Sequence, residues 1–318
     1  MSIREKTYSI RQRLARALLG WSLLYAVNAG AGGLVAPPAP ALREAAASQA
    51  RPVEALPTEL AHIGDAVLEF HRRQTAQPHA TLVFENGLQL PLETWSKVLE
   101  GLGDQVNVLL YNRPGVGRSA MPDSGDDPTQ TTRRLKALLA EQGLHPPYIL
   151  VGHSMGGLYA QQFARLYPEQ VSALLLVDAL PPGALKPYAE FPWLTRVGLR
   201  WFAPPQVLRE VKHASIIGGT LLAEPGRFAG PVTRLLAETP QMPKPQGLIK
   251  DLLRGTLYAE DFGITAMDPD AAEAQVAAIY PHSTLLRVRS FHRVQELAPQ
   301  AVVAAIRDIM GRFTVRSP

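Results

Sequence analysis

Four short runs constrain the fold most, because each holds consecutive apolar residues rather than an apolar residue at every second position. They are ATLVFENG (80–87), the start of VNVLLYNRPGVGRS (106–119), PYILVGHS (147–154) and VSALLLVDA (171–179). A strand with one wet face alternates apolar and polar residues. An uninterrupted run reads as a strand covered on both faces, as in a parallel sheet. Between these runs, 129–142 and MGGLYAQQFARLYPEQ (155–170) have helical patterns. Leu158, Phe163, Ala164 and Tyr167 are the core contacts of the second. AVLEFHR (66–72) does alternate and adds an earlier strand. GTLYAED (255–261) and STLLRVR (283–289) read as later strands, and PQAVVAAIRDIMGRF (299–313) as a closing amphipathic helix. Strands alternating with helices give an α/β fold with a mostly parallel sheet.

The stretch from about 183 to 250 breaks the rhythm. It holds Trp193, Trp201, many prolines and short helical patterns without a clear strand, and reads as a helical lid inserted above the sheet. The alternative is ordinary helices of the outer layer. The first 57 residues form a separate region. Basic residues up to Arg16 precede ALLGWSLLYAV (17–27), and no charge follows until Arg43. Residues 1–35 therefore read as a signal peptide or a membrane anchor, with an amphipathic helix lying on the domain as the alternative. That makes the chain exported or membrane-anchored; a cytoplasmic location is the other reading. Residues 36–57 are an Ala/Pro-rich linker, and the globular domain spans 58–318.

The net charge of +4 comes entirely from the first sixteen residues, so the folded body has no basic surplus to suit nucleic acid. The absence of cysteine excludes disulfides, thiolate metal sites and cysteine nucleophiles.

GHSMG (152–156) carries the chemistry. The pattern G-x-S-x-G is weak alone, but here it ends a strand and starts a helix. Such a turn is tight enough to strain the serine and push its hydroxyl to the carboxyl edge of the sheet. Gly152 and Gly156 stand where side chains would strike neighbouring backbone. The helix N-terminus offers unbonded N–H groups to an oxyanion.

With FENGLQLPLETW (84–95), YNRPGVGRS (111–119), the run 151–182 and SFHRVQELAPQAVVAAI (290–306), the chain resembles the α/β-hydrolases. The resemblance implies an eight-stranded, mostly parallel α/β-hydrolase sheet flanked by helices, with a helical lid insertion. It further implies a Ser–acid–His triad in that chain order, with no cofactor and no metal. Ser154 is then the nucleophile. Of the histidines after it, His282 precedes the last strand and lies at the wrong edge, whereas His292 follows that strand and takes the place of the base. His153 is assigned to packing. The acid is open. The family usually places it after the strand before the last, which points to LYAEDFGITAMDPD (257–270) and first to Asp261. Asp178, at the end of the run 171–177, is the alternative acid, with Asp268 and Glu260 behind it. The oxyanion hole falls, by position, on the N–H groups of Leu88 and Met155. Asn86-Gly87 stands where many relatives have His-Gly.

This predicts a serine hydrolase acting on carboxylic esters through an acyl-enzyme intermediate. Phe191, Trp193, Leu194, Leu199, Trp201 and Phe202 suggest a small-molecule substrate with an apolar portion. Amidase, aminopeptidase and thioesterase activities of the same fold stay open. So does a non-catalytic, membrane-tethered binding protein on a hydrolase scaffold. The N-terminus gives either kind of protein a route to a membrane.

Overall fold

The computed structural model describes residues 56–122, 127–225, 227–238, 250 and 259–314. The expected signal or anchor (1–35) and nearly all of the linker (36–57) lie outside the described residues. Eight strands form one sheet: β1 (Glu59–Ile63), β2 (Ala66–Arg73), β3 (Thr81–Glu85), β4 (Asn107–Tyr111), β5 (Tyr148–His153), β6 (Val171–Val177), β7 (Val232–Ala237) and β8 (Thr284–Val288). Their order is β1-β2-β4-β3-β5-β6-β7-β8. β1, β2 and β4 pair antiparallel, and from β4 onward every neighbour is parallel.

Strand residues alternate between two apolar layers, as the period of two dictates. Leu150, Leu174 and Leu176 join Leu135, Leu138, Phe163 and Ala164 on one face. These belong to α2 (Pro128–Glu141) and α3 (Met155–Leu166). Val151, Ala173, Leu175 and Val177 join Trp95, Val98, Leu99, Val302 and Ile306 on the other. There the covering helices are α1 (Ser96–Leu102) and, C-terminally, α8 (Pro299–Thr314). The uninterrupted apolar runs are thus strands covered twice.

Between β6 and β7 lie two helices, α4 (Trp193–Phe202) and α5 (Pro205–Ala223). The expectation of a strand-free insertion over about 183–250 needs a correction, because β7 lies inside it. VTRLLA was hidden by its central arginine. Arg234 bonds Ser283 Oγ at 3.0 Å and Glu273 Oε1 at 2.7 Å, so a charged residue sits in a largely apolar strand. The strand expected at 255–261 also fails where it can be seen, since Ala259–Phe262 form a 3-10 turn. Before β8 comes α6 (Pro269–Ile279), capped by Asp268 Oδ1 accepting from Ala271 N at 2.9 Å. After β8, the short α7 (Val294–Leu297) leads into α8.

Candidate active site

Ser154 joins β5 to α3 with φ 52° and ψ −124°, outside the basins an L-residue prefers. Hydrogen bonds hold it there: Ser154 N donates to Val177 O (3.2 Å), and Leu180 N donates to Ser154 O (2.9 Å). The glycines allow the turn. A Cβ on Gly152 would stand 2.6 Å from Gly157 Cα. One on Gly156 would stand 2.5 Å from Asn86 O and closer still to Glu85 O. Met155 opens α3, so its N–H has no intrahelical acceptor.

His292 lies in the loop between β8 and α7. Its Nδ1 donates to Asp178 Oδ2 at 2.6 Å. Asp178 directly follows β6, with a positive φ of 42°. Its other oxygen, Oδ1, accepts from Ala237 N at 3.0 Å. One carboxylate thus clamps the end of β7 and one imidazole nitrogen. His292 Nε2 and Ser154 Oγ are both buried, and neither has a hydrogen-bond partner. The acid expectation is therefore corrected. Asp178, not Asp261, holds His292 Nδ1. Asp261 lies in the Ala259–Phe262 turn, whose Phe262 carbonyl accepts from Thr195 of α4. Asp268 is spent on capping α6. The carboxylate on His292 Nδ1 thus comes from the end of β6, the alternative named above.

His153 is fully buried and does more than pack. Its Nε2–H donates to the backbone carbonyl of His292 at 2.8 Å, and its Nδ1 accepts from Gln295 Nε2 at 3.2 Å. These partners fix its tautomer. Burial, aided by the neighbouring His292 and Arg293, holds its pKa well below the usual histidine range, so it stays neutral. It anchors the backbone that carries His292. Sequence reading gave no sign of this, because the link spans 139 positions.

The loop after β3 is held as tightly. Asn86 Nδ2 donates to Tyr111 O (3.0 Å), while its Oδ1 accepts from Trp95 Nε1 (2.7 Å). Arg113, from the RPGVG loop, is buried and donates to Asn86 O (2.7 Å) and Gly87 O (2.9 Å). In a trans peptide the C=O and N–H point opposite ways. Because the Gly87 carbonyl faces Arg113, the Leu88 N–H points away from it. Gln89 follows with φ 53°. Leu88 and Met155 share one apolar cluster with Leu158, Phe191, Leu199 and Val211.

Arg113 also faces two buried carboxylates, Glu85 (3.1 Å) and Glu210 of α5 (2.6 Å). Glu210 in turn accepts from Gln89 N (3.2 Å) and Gln89 Nε2 (3.1 Å). Burial, only partly offset by Arg113 and by the Tyr111 hydroxyl, pushes Glu85 up to about 7. Glu210 is held below the usual carboxylate range: burial opposes this, but the Arg113 guanidinium and Gln89 outweigh it. Ser119 is structural, with Oγ donating to Asn112 O and accepting from Glu69 N. Among the described residues no group of three or more His, Asp or Glu side chains could hold a metal ion.

The sequence model of the Alpha/beta hydrolase family matches residues 82–306, which include every residue of this constellation. The chain belongs to the alpha/beta hydrolase family. An esterase of Mycobacterium tuberculosis is 34% identical over 110 residues, which is 34% of this chain and 36% of that protein. The pimeloyl-[acyl-carrier protein] methyl ester esterase of Edwardsiella ictaluri is 35% identical over 103 residues, 31% of this chain and 36% of that one. The chain thus spans well under half the length of either relative. Among solved structures, a lipase candidate of Acinetobacter baumannii shares the fold. Its TM-score is 0.60 at 16% identity, covering 86% of this chain and 97% of that one.

Proposed function

We propose that this hydrolase cleaves carboxylic esters of small molecules, with Ser154 as nucleophile, His292 as base and Asp178 as the orienting acid. One observation carries the reading. Asp178 occupies His292 Nδ1, while His292 Nε2 and Ser154 Oγ are both buried and unpartnered. Buried polar atoms without partners are costly and point to a site awaiting a reactant.

Ser154 Oγ attacks the ester carbonyl carbon while its proton passes to His292 Nε2. The carbonyl oxygen becomes an oxyanion, held by the N–H groups of Met155 and Leu88. The tetrahedral species collapses, and His292 gives its proton to the leaving alcohol. Water then loses a proton to His292 and attacks the acyl carbon. The acid is released, and the proton returns to Ser154. The apolar cluster around Leu88 and Met155 suits an acyl portion with hydrocarbon character. The esterase names of the two relatives favour esters over amides and thioesters. The helices α4 and α5 are read here as the lid. Export or anchoring through residues 1–35 is part of the same proposal.

The test is fluorophosphonate labelling alongside hydrolysis of p-nitrophenyl esters of graded chain length. Ser154→Ala is expected to abolish both. Asp178→Asn is expected to lower kcat by about 10³–10⁴-fold, while Asp261→Asn stays within about twofold of wild type. An inert wild type that also resists labelling would support the binding-protein reading instead. Equal loss in the two aspartate variants would reject Asp178 as the acid.

A further inference from the structure

The helix α4 turns its apolar side the wrong way for a soluble protein. Its inner side contributes Leu199 to the cluster around Leu88 and Met155, and Thr195 Oγ1 donates to Phe262 O at 2.8 Å. Its outer side carries Trp193 (65% exposed), Leu194 (64%) and Trp201 (75%), with Val197 and Phe202 also exposed. Trp193, Val197 and Trp201 lie four residues apart and so form one stripe, with Leu194 beside it. Arg200, exposed, and Arg196, half-buried, stand along one border of that stripe. Between Phe191 and Arg209 the only charges are Arg196, Arg200 and Arg209, and there is no acidic residue.

A contiguous exposed apolar stripe rimmed by polar residues marks an interaction surface. Its composition selects the partner. Tryptophan rings favour the boundary between headgroups and acyl chains, and arginine forks pair with phosphate oxygens. A helix with apolar and aromatic residues on one side, cations at the border and no acids matches an interfacial helix. No described helix is long and apolar enough to cross a membrane, so the contact would lie along the surface. We propose that α4 docks onto a membrane surface bearing anionic phospholipid headgroups. Trp193, Leu194, Val197 and Trp201 enter the acyl boundary, and Arg196 and Arg200 pair with headgroup phosphates. The apolar cluster beneath Leu199 then lies directly under the lipid layer. This docking stands whether or not the substrate is an ester.

The experiment uses the full chain with Trp21→Phe. Of the four tryptophans this leaves buried Trp95 together with Trp193 and Trp201. Vesicles contain brominated phosphatidylcholine, alone or mixed with phosphatidylglycerol. The expected result is a blue shift and bromine quenching on the mixed vesicles, weaker on phosphatidylcholine alone. Adding Leu194→Glu with Val197→Glu should weaken partition by about tenfold or more. Both side chains are exposed, so the melting temperature should stay at the parent value. Absence of quenching on the mixed vesicles would overturn the proposal. So would quenching that the double variant leaves intact, or equal binding to both vesicles. Self-association in sedimentation that the double variant abolishes, without any response to vesicles, would assign the stripe to a second copy of the chain.

Discussion

Gly156→Ala isolates the contact on which the proposed oxyanion site depends. Gly156 lies in the first turn of α3, against the end of β3. A Cβ there would stand 2.5 Å from Asn86 O and nearer to Glu85 O, whereas real Cβ atoms essentially never approach within 3.0 Å. Both obstacles are backbone, and Arg113 holds Asn86 O in place with a hydrogen bond of 2.7 Å. The alanine cannot turn aside. The α3 N-terminus and the Asn86–Leu88 loop must separate by roughly half an ångström or more, about the tolerance of a catalytic constellation. Those two segments carry the Met155 and Leu88 N–H groups. The loss is therefore expected in kcat and in the fluorophosphonate labelling rate, by about ten- to hundredfold, with little change in KM. Stability should fall by roughly 1–3 kcal/mol, read by urea unfolding. The control is Gly219→Ala in α5, where a Cβ meets nothing within 4 Å. A Gly156→Ala protein with wild-type labelling, turnover and stability would refute the reasoning and place the oxyanion donors elsewhere.

Other outcomes follow from the same contacts. Arg113→Met leaves Glu85 and Glu210 buried without their shared cation and should cost about 3–5 kcal/mol in urea unfolding. Arg113→Lys should not rescue it, because one ammonium cannot serve the forked contacts to Glu210, Asn86 and Gly87. Glu85 has its folded pKa raised from 4.5 to about 7, so the folded state takes up a proton that the unfolded chain has already lost. Its contribution to stability is complete below about pH 4.5 and is lost as the pH rises through about 7; urea melts across that window should show the decline, and Glu85→Gln should flatten it. Gly219→Ala should raise stability by roughly 0.5–1 kcal/mol, since it only replaces an unhindered mid-helix glycine; a lower melting temperature would show that the α5 backbone is strained there.

Local chemistry by itself determined much of this protein. Consecutive apolar residues in runs this short, bounded by turn residues, read as doubly covered strands, so the parallel sheet was legible in 80–87, 106–111, 147–154 and 171–179. The glycines around Ser154 announced a strand-to-helix turn, because a side chain there meets backbone within a few residues or one strand away. β7 was not legible, because Arg234 breaks its apolar run and is satisfied by Ser283 and Glu273, far along the chain. Only the tertiary structure chose the partner of His292. Asp178, Asp261 and Asp268 are all aspartates near plausible turns, and what separates them is which strand end lies beside the loop after β8. That depends on the order β6-β7-β8 in the sheet, which no local pattern encodes. The same holds for His153 under His292 and for Arg113 between Glu85 and Glu210. Hydrogen-bond partners distant in sequence are set by how the chain packs, so a residue type states what it can bond but not what it meets.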